Sequence, residues 1–290
     1  MAKPTGILGL ITRPFRHSGP VIPVVRLHGV IAADQRAGRI NMQMAAPLLH
    51  RAFEMPGDTV AIIVNSPGGS AVQSRLISKR IRDLAAENDK HVIVFVEDAA
   101  ASGGYFIATA GDEIIADPSS IVGSIGVIFA GFGLDKAIAK LGIERRVYTA
   151  GEQKDALDPF RPEKPEDIER IKSVQRDVHD VFIGIAKERR AGRLAGADAE
   201  LFSGAFWSGP KALELGLIDG ISDVRTKMRE LYGDKVRLRV VPLEKGGLLG
   251  RLRRSSSAAG YEDLRSGRLA LGEDLISAVE ARSLWSRFGL

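Results

Sequence analysis

The sequence contains no cysteine, which excludes disulfides, thiolate nucleophiles and cysteine-ligated metal. Histidine is scarce too. His17, His28, His50, His91 and His179 are far apart, and none stands at the HxxxH or HExxH spacing of a zinc site. No metal and no cofactor is expected. The longest uncharged run near the N-terminus, Pro4 to Thr12, falls well short of the roughly 20 apolar residues of a membrane span. Without a small-residue cleavage signature beside it, no secretory signal is expected either, and the cytoplasm is the expected compartment. Charge of one sign is not dominant: 41 basic residues against 36 acidic give a net +5, mostly interspersed. RLRR at 251–254 is the one dense basic cluster, and no aromatic-rich basic stripe points to nucleic acid.

What is present is a chain of 290 residues with 44% hydrophobic content, enough for a sizeable buried core. Residues 1–20, with Pro4, Pro14 and Pro20, read as a flexible arm. Residues 21–243 read as the folded domain, and 244–290, with GG, RLRR and SSS, as a basic tail carrying a terminal helix around 271–288. Inside the domain, strands are expected at 21–31, 59–66, 91–97, 112–117, 124–129, 143–150 and 236–243. Helices are expected at 40–55 (begun or perturbed at Pro47), 70–87, after Ser102, near 133–141, at 166–190 and within 208–220. In the long 166–190 helix, Ile168, Ile171, Val174, Val178, Phe182 and Ile185 form a stripe expected to face the core. The strand–helix alternation predicts an α/β fold with parallel pairing.

Ser102, in DAAASGGYFIATAGDE (98–113), admits two readings. It is a nucleophile on a strand-to-helix turn, where helix amides stabilise negative charge, or it is an ordinary helix N-cap. NSPGG at 65–69 follows an apolar strand and precedes a helix; its glycines let backbone amides turn outward, as an oxyanion hole or anion nest requires. The phosphate-binding patterns GxxxxGK[ST] and GxGxxG are absent. No histidine is well placed to deprotonate Ser102, since His91 starts a strand at its far end. The remaining base is a lysine, and Lys154 lies in the irregular stretch GEQKDALDPF. At a reference pKa near 10.4, only about 0.04% of an unshifted lysine is neutral at pH 7, so burial must lower the pKa by roughly three units. Glu152, Asp155 and Asp158 act in the opposite direction if they face the amine, and a solvated loop lysine is the competing reading.

SPGG after a buried strand, then ASGGY, GSIGV at 123–127, the lysine of GEQKDALDPFRP and SGPKALELGLID, in that order over about residues 22–240, resemble the signal peptide peptidase A family of serine proteases. The resemblance implies a ClpP/crotonase-like α/β fold of repeated β-β-α units, with a parallel-sheet core and flanking helices. It implies a serine endopeptidase with a Ser/Lys dyad: Ser102 the nucleophile, Lys154 the general base, the amides of Gly69 and Gly103 the oxyanion hole, and Ser124 hydrogen-bonded to the lysine. Implied substrates are peptides, signal peptide remnants or misfolded polypeptides among them. The implied partner is a second copy of the chain, in a ring-like homo-oligomer with an octamer as one candidate size, and the dyad then forms between neighbouring subunits. The expected N-terminal membrane anchor of that family is not seen, and the basic, aromatic tail leaves peripheral membrane contact open. The rivals are a ClpP-like peptidase, which requires a histidine that the residues around Val127 do not offer, a crotonase-type acyl-CoA enzyme, and an inactive membrane-associated scaffold.

Overall fold

A computed structural model describes residues 19–36, 38–151, 153–242, 278–279 and 281–290. Strand β1 (Val21–His28) stops where Gly29 takes φ 124°, and a short β2 (Val30–Ile31) follows and pairs with β3 (Arg39–Ile40). Helix α1 (Met42–Glu54) is capped by Asn41, whose side chain accepts from the Met44 N–H, and runs unbroken through Pro47. Strand β4 (Thr59–Ser66) is buried at all eight positions, as a central parallel strand covered on both faces must be. Helix α2 (Ala71–Glu87), capped by Ser70, leads to β5 (His91–Ala101), α3 (Gly103–Ala108), β6 (Glu113–Ala116) and β7 (Ile121–Gly123). After α4 (Asp135–Lys140) and the long α5 (Pro165–Arg189) come α6 (Asp198–Leu201), β8 (Phe206–Ser208), α7 (Gly209–Glu214), β9 (Gly220–Ile221), α8 (Val224–Tyr232) and β10 (Arg237–Val240).

The main sheet runs β10-β1-β4-β5-β6-β9, with β7 continuing alongside the far end of β5. Every pairing is parallel except β7 with β8. On one face, α1, α2 and α3 bury Leu49, Phe53, Ile77, Ile81 and Ile107 against Val25, Ile62 and Val94. On the other, Met228 of α8 closes over Ile22, Val24, Ile63 and Phe95. Parallel pairing sends the C-terminal ends of β1, β4 and β5 to one edge, where α/β folds place their ligands.

The strand expected at 124–129 lies instead at 121–123, because Ser124 takes φ 53° and turns the backbone out of the extended region. Residues 143–149 form no strand. They belong to an exposed excursion, about 127–163, tied together internally: Arg145 pairs with Asp158 at 2.8 Å, Arg161 with Asp155, and the Leu134 N–H reaches the Pro159 carbonyl at 2.6 Å. The apolar stripe of α5 meets the core only in its C-terminal half, where Phe182 and Ala186 are buried and Phe182 packs on Phe106 at 4.7 Å. Val174 and Val181 are about half exposed. Residues 1–18 of the arm expected at 1–20, and the RLRR cluster, lie outside the described residues.

The C-terminal end of α5 is held by an arginine with 1% exposure. Arg190 donates two hydrogen bonds to the Gly216 carbonyl, at 2.9 and 2.8 Å, and one to Asp219 at 2.7 Å. Asp219 also accepts from the Ile114 N–H, and Tyr105 donates to the Leu217 carbonyl beside it. Burial pushes the Tyr105 phenol well above its ordinary pKa, which keeps it a donor. Removing one partner of a buried ion pair leaves the other uncompensated. Arg190→Ala is therefore expected to lower unfolding free energy by about 3 kcal/mol or more, with Arg190→Lys intermediate because an ammonium cannot reproduce the planar fork. Urea denaturation measures both, and a loss well under 1 kcal/mol for the alanine variant would contradict this account of the α5 anchor.

Candidate active site

The ends of β4 and β5 do not stay in register. Val64 pairs with Val96, but Ser66 pairs with Ala100, so Glu97, Asp98 and Ala99 form a bulge. Asn65, 2% exposed, fills it: its Oδ1 accepts from the Ala99 N–H at 3.1 Å and its Nδ2 donates to Asp98 at 2.5 Å. The bulge re-aims β5 so that its last residues pair with β7 and present Ser102 at the strand's tip.

Ser102 adopts φ 51° and ψ −120°, a conformation costly for a residue with a Cβ. It is held there from both sides: its N–H donates to the Gly123 carbonyl at 2.8 Å, and its carbonyl accepts from the Phe106 N–H at 2.9 Å. Ser102 stands at the N-cap position of α3, yet its hydroxyl makes no capping hydrogen bond. Of the two readings open in the sequence, the cap is satisfied by position and refuted by chemistry. Close approach of the preceding loop demands glycine. A Cβ on Gly68 would sit 2.8 Å from the Ser102 Cβ and 2.9 Å from the Ala101 carbonyl.

Gly69, at φ 137°, is bracketed by Ile31, whose N–H donates to the Gly68 carbonyl and whose carbonyl accepts from the Ser70 N–H, both at 2.8 Å. This leaves the Gly69 N–H free of backbone acceptors among the described residues, and the same holds for Gly103 at the start of α3. The two residues are close neighbours, since a Cβ built on Gly103 would lie 3.4 Å from the Gly69 nitrogen.

Ser102, Gly69, Gly103 and Ser124 line a single cleft of about 910 Å³ with Val72, Phe106, Val178 and Phe182 on its walls. Ser124 is held by its N–H donating to the Ala205 carbonyl at 2.7 Å. His179 also lines the cleft, donating from Nε2 to the Ile125 carbonyl at 3.1 Å. Its place there comes from the packing of α5 across the fold and leaves no mark in residue order.

Lys154 is not there. It is exposed, in a turn of the excursion where its N–H donates to the Gly151 carbonyl. Two of its acidic neighbours are engaged elsewhere, Asp155 by Arg161, and Asp158 by Arg145, whose hydrogen bond holds the Asp158 carboxyl below the usual range; Glu152 lies outside the described residues. Around it the excursion exposes large apolar side chains, Phe132 at 85%, Leu141 at 73% and Tyr148 at 92%. Among the described residues no acidic or histidine cluster is suited to a metal, and no helix is long and apolar enough to cross a membrane.

A sequence profile of peptidase family S49 matches residues 85–236, the span holding Ser102, Ser124, Lys154 and His179. The chain belongs to this family. It is 32% identical to a putative signal peptide peptidase SppA of Enterococcus faecium over 176 residues, 61% of this chain and 51% of that protein. It is 51% identical, along its whole length, to part of a Brucella abortus protein named Na(+)/H(+) antiporter NhaA, of which it covers 40%. The chain thus spans about half of one relative's length and 40% of the other's. Among solved structures it resembles a serine-to-alanine variant of the 1510-N membrane-bound stomatin-specific protease, with TM-score 0.52, 17% identity, and coverage of 78% of this chain and 100% of that one. The likeness shows the fold, a ClpP/crotonase-like α/β architecture with a predominantly parallel sheet flanked by helices.

The strain at Ser102 has a measurable consequence. Glycine tolerates positive φ, so Ser102→Gly is expected to be more stable than Ser102→Ala by about 1 kcal/mol, against the usual penalty for glycine. Thermal or urea unfolding of the two variants decides this, and an alanine variant at least as stable as the glycine one would remove the case for strain.

Proposed function

We propose that this member of family S49 is a serine endopeptidase in which Ser102 of one copy works with Lys154 of a neighbouring copy. The observation that carries it is the Ser102 turn: a strained serine, free of capping duty, with Gly69 and Gly103 close together in the same cleft. Ser102 Oγ attacks the scissile carbonyl carbon while its proton passes to the neutral Lys154 Nζ, and the two amides receive the oxyanion. Collapse breaks the C–N bond as Lys154 returns the proton to the leaving amine. Water then attacks the acyl-enzyme with Lys154 again as base, releasing the acid and restoring Ser102. Ser124 orients the amine by one hydrogen bond.

The neighbouring copy enters because an exposed lysine is charged at neutral pH. Docking of the excursion onto a second copy would bury Phe132, Leu141 and Tyr148 and desolvate Lys154, which moves its pKa in the direction catalysis needs. A closed homo-oligomeric ring, with an octamer as candidate size, repeats that contact without leftover edges. The apolar walls from Val72, Phe106, Val178 and Phe182 suit peptides with apolar residues near the scissile bond, signal peptide remnants among them. The cytoplasm, with peripheral membrane contact, stays the expected location on the sequence grounds given above.

A second reading has one observation behind it: His179 shares the cleft with Ser102 in the same chain, and could act as base there. Two measurements separate them. Lys154→Ala is expected to lose on the order of 10²–10⁴ in kcat/KM, with Lys154→Arg equally inactive since guanidinium stays protonated. His179→Gln should retain most activity. The reverse pattern would transfer the base role to His179. Mixing Ser102→Ala with Lys154→Ala, under verified subunit exchange, should restore up to roughly a quarter of wild-type sites, because two adjacent subunits must each be the right variant. Mixed oligomers that stay inactive would end the shared-dyad proposal.

A further inference from the structure

The cleft that holds Ser102 is not walled by the sheet and its helices alone. Leu284 and Arg287 also line it, and they belong to residues 281–290, of which 281–286 are helical. In this segment Ala281, Leu284, Trp285 and Phe288 are half-buried, whereas Arg282, Ser283, Ser286 and Arg287 are exposed. Spacing of i, i+3, i+4 and i+7 is the apolar stripe of a helix seated on a surface.

Two ring contacts fix that seat. Trp285 stacks on His28, with centroids 6.1 Å apart and planes at 29°. Phe288 meets Phe206 edge-on at 5.1 Å and 80°. His28 ends β1 and Phe206 opens β8, and the path between them through paired strands is β1, β4, β5, β7, β8. Ser102, at the tip of β5, lies between the two anchors. The segment therefore bridges the strand-end edge of the sheet across the proposed nucleophile, with Leu284 turned into the same space that a substrate would enter.

We propose that residues 281–290 are an internal occupant of the substrate cleft, an amphipathic helix that competes with peptide substrates for access to Ser102. The competition rests on the peptidase reading above; the docking does not. Covalent attachment gives the segment an effective concentration on the order of 1 mM, so contacts of modest strength keep it seated and a substrate of higher affinity displaces it. Each aromatic contact adds a few-fold to the closed population, and the apparent affinity for substrate falls by the fraction of molecules left open.

The test uses the full chain carrying Trp285→Ala and Phe288→Ala together, with retention of the native fold checked by circular dichroism and melting. Against a fluorogenic peptide amide with leucine at the scissile position, the double variant is expected to show a KM lower by roughly tenfold and a kcat changed less than about twofold. A synthetic peptide of residues 281–290 added in trans should raise that KM again as a competitive inhibitor. Binding is read independently of catalysis in the Ser102→Ala background. There the labelled peptide should bind the chain with Trp285→Ala and Phe288→Ala roughly tenfold more tightly than the chain with its own segment intact. If no form cleaves the substrate but this binding difference appears, the peptidase reading falls and the docking stands. Equal binding to both chains, an unchanged KM, or non-competitive inhibition would overturn the proposal, as would a segment that binds anionic phospholipid vesicles and leaves the cleft unaffected.

Discussion

The site depends on the parting of β4 and β5 at their C-terminal ends. Two parallel strands left in register would run into their loops side by side, with no space for a turn between them. The bulge at Glu97–Ala99 breaks that symmetry, and Asn65 makes it tolerable: its Oδ1 accepts from the Ala99 N–H that the ladder no longer pairs, and its Nδ2 donates to the Asp98 carboxylate. Everything chemically useful follows from the displaced strand end. The pairing of β5 with β7 holds the Ser102 amide. The Pro67–Gly69 loop comes so close to Ser102 that a Cβ on Gly68 would lie 2.8 Å from the Ser102 Cβ, and Gly69 and Gly103 become neighbours.

The wall opposite this turn is fixed by a different kind of force. Helix α5 carries Val178, His179 and Phe182 to the cleft, but within its apolar stripe only Phe182 is fully buried and Val174 is half exposed, so hydrophobic burial alone does not hold it. The anchor is polar and remote: Arg189 bonds the carbonyls of Thr109 and Gly111, and Arg190 bonds Gly216 and Asp219. A helix pinned at one end by arginines and packed through Phe182 on Phe106 presents its N-terminal half as a free surface. That surface and the apolar excursion at about 127–163 are where the chain lacks packing partners of its own.

How far this was readable from residue order differs by element. The buried strands β4 and β5 announce themselves as apolar runs, and the SPGG and ASGGY turns stand out because glycine doublets between a strand and a helix have few structural uses. The role of Asn65 was hidden, since a bulge is a relation between two strands and leaves no periodic mark in either. SIGVIF looks like a strand because its apolar residues fit one, but the left-handed backbone of Ser124 ends β7 just before it. The stripe of α5 is a real helical stripe with a misassigned partner: periodicity reports which residues share a face, and cannot report whether that face meets the chain's own core or another surface. His179 escaped for the same reason, because its place in the cleft comes from packing across the fold.

Lys154 shows where local chemistry and tertiary placement must be argued separately. For two of its three acidic neighbours the concern is answered by the excursion's own ion pairs, which commit Asp155 to Arg161 and Asp158 to Arg145. What remains is solvation. Loss of water through contact with an apolar surface penalises the charged amine and moves it toward a base at neutral pH. The excursion combines the exposed lysine with exposed Phe132, Leu141 and Tyr148, so one docking event would desolvate the amine and bury the apolar side chains together. In an arrangement of that kind the amine would reach Ser102 only on assembly. Assembly would then set the protonation state of the base as well as its position.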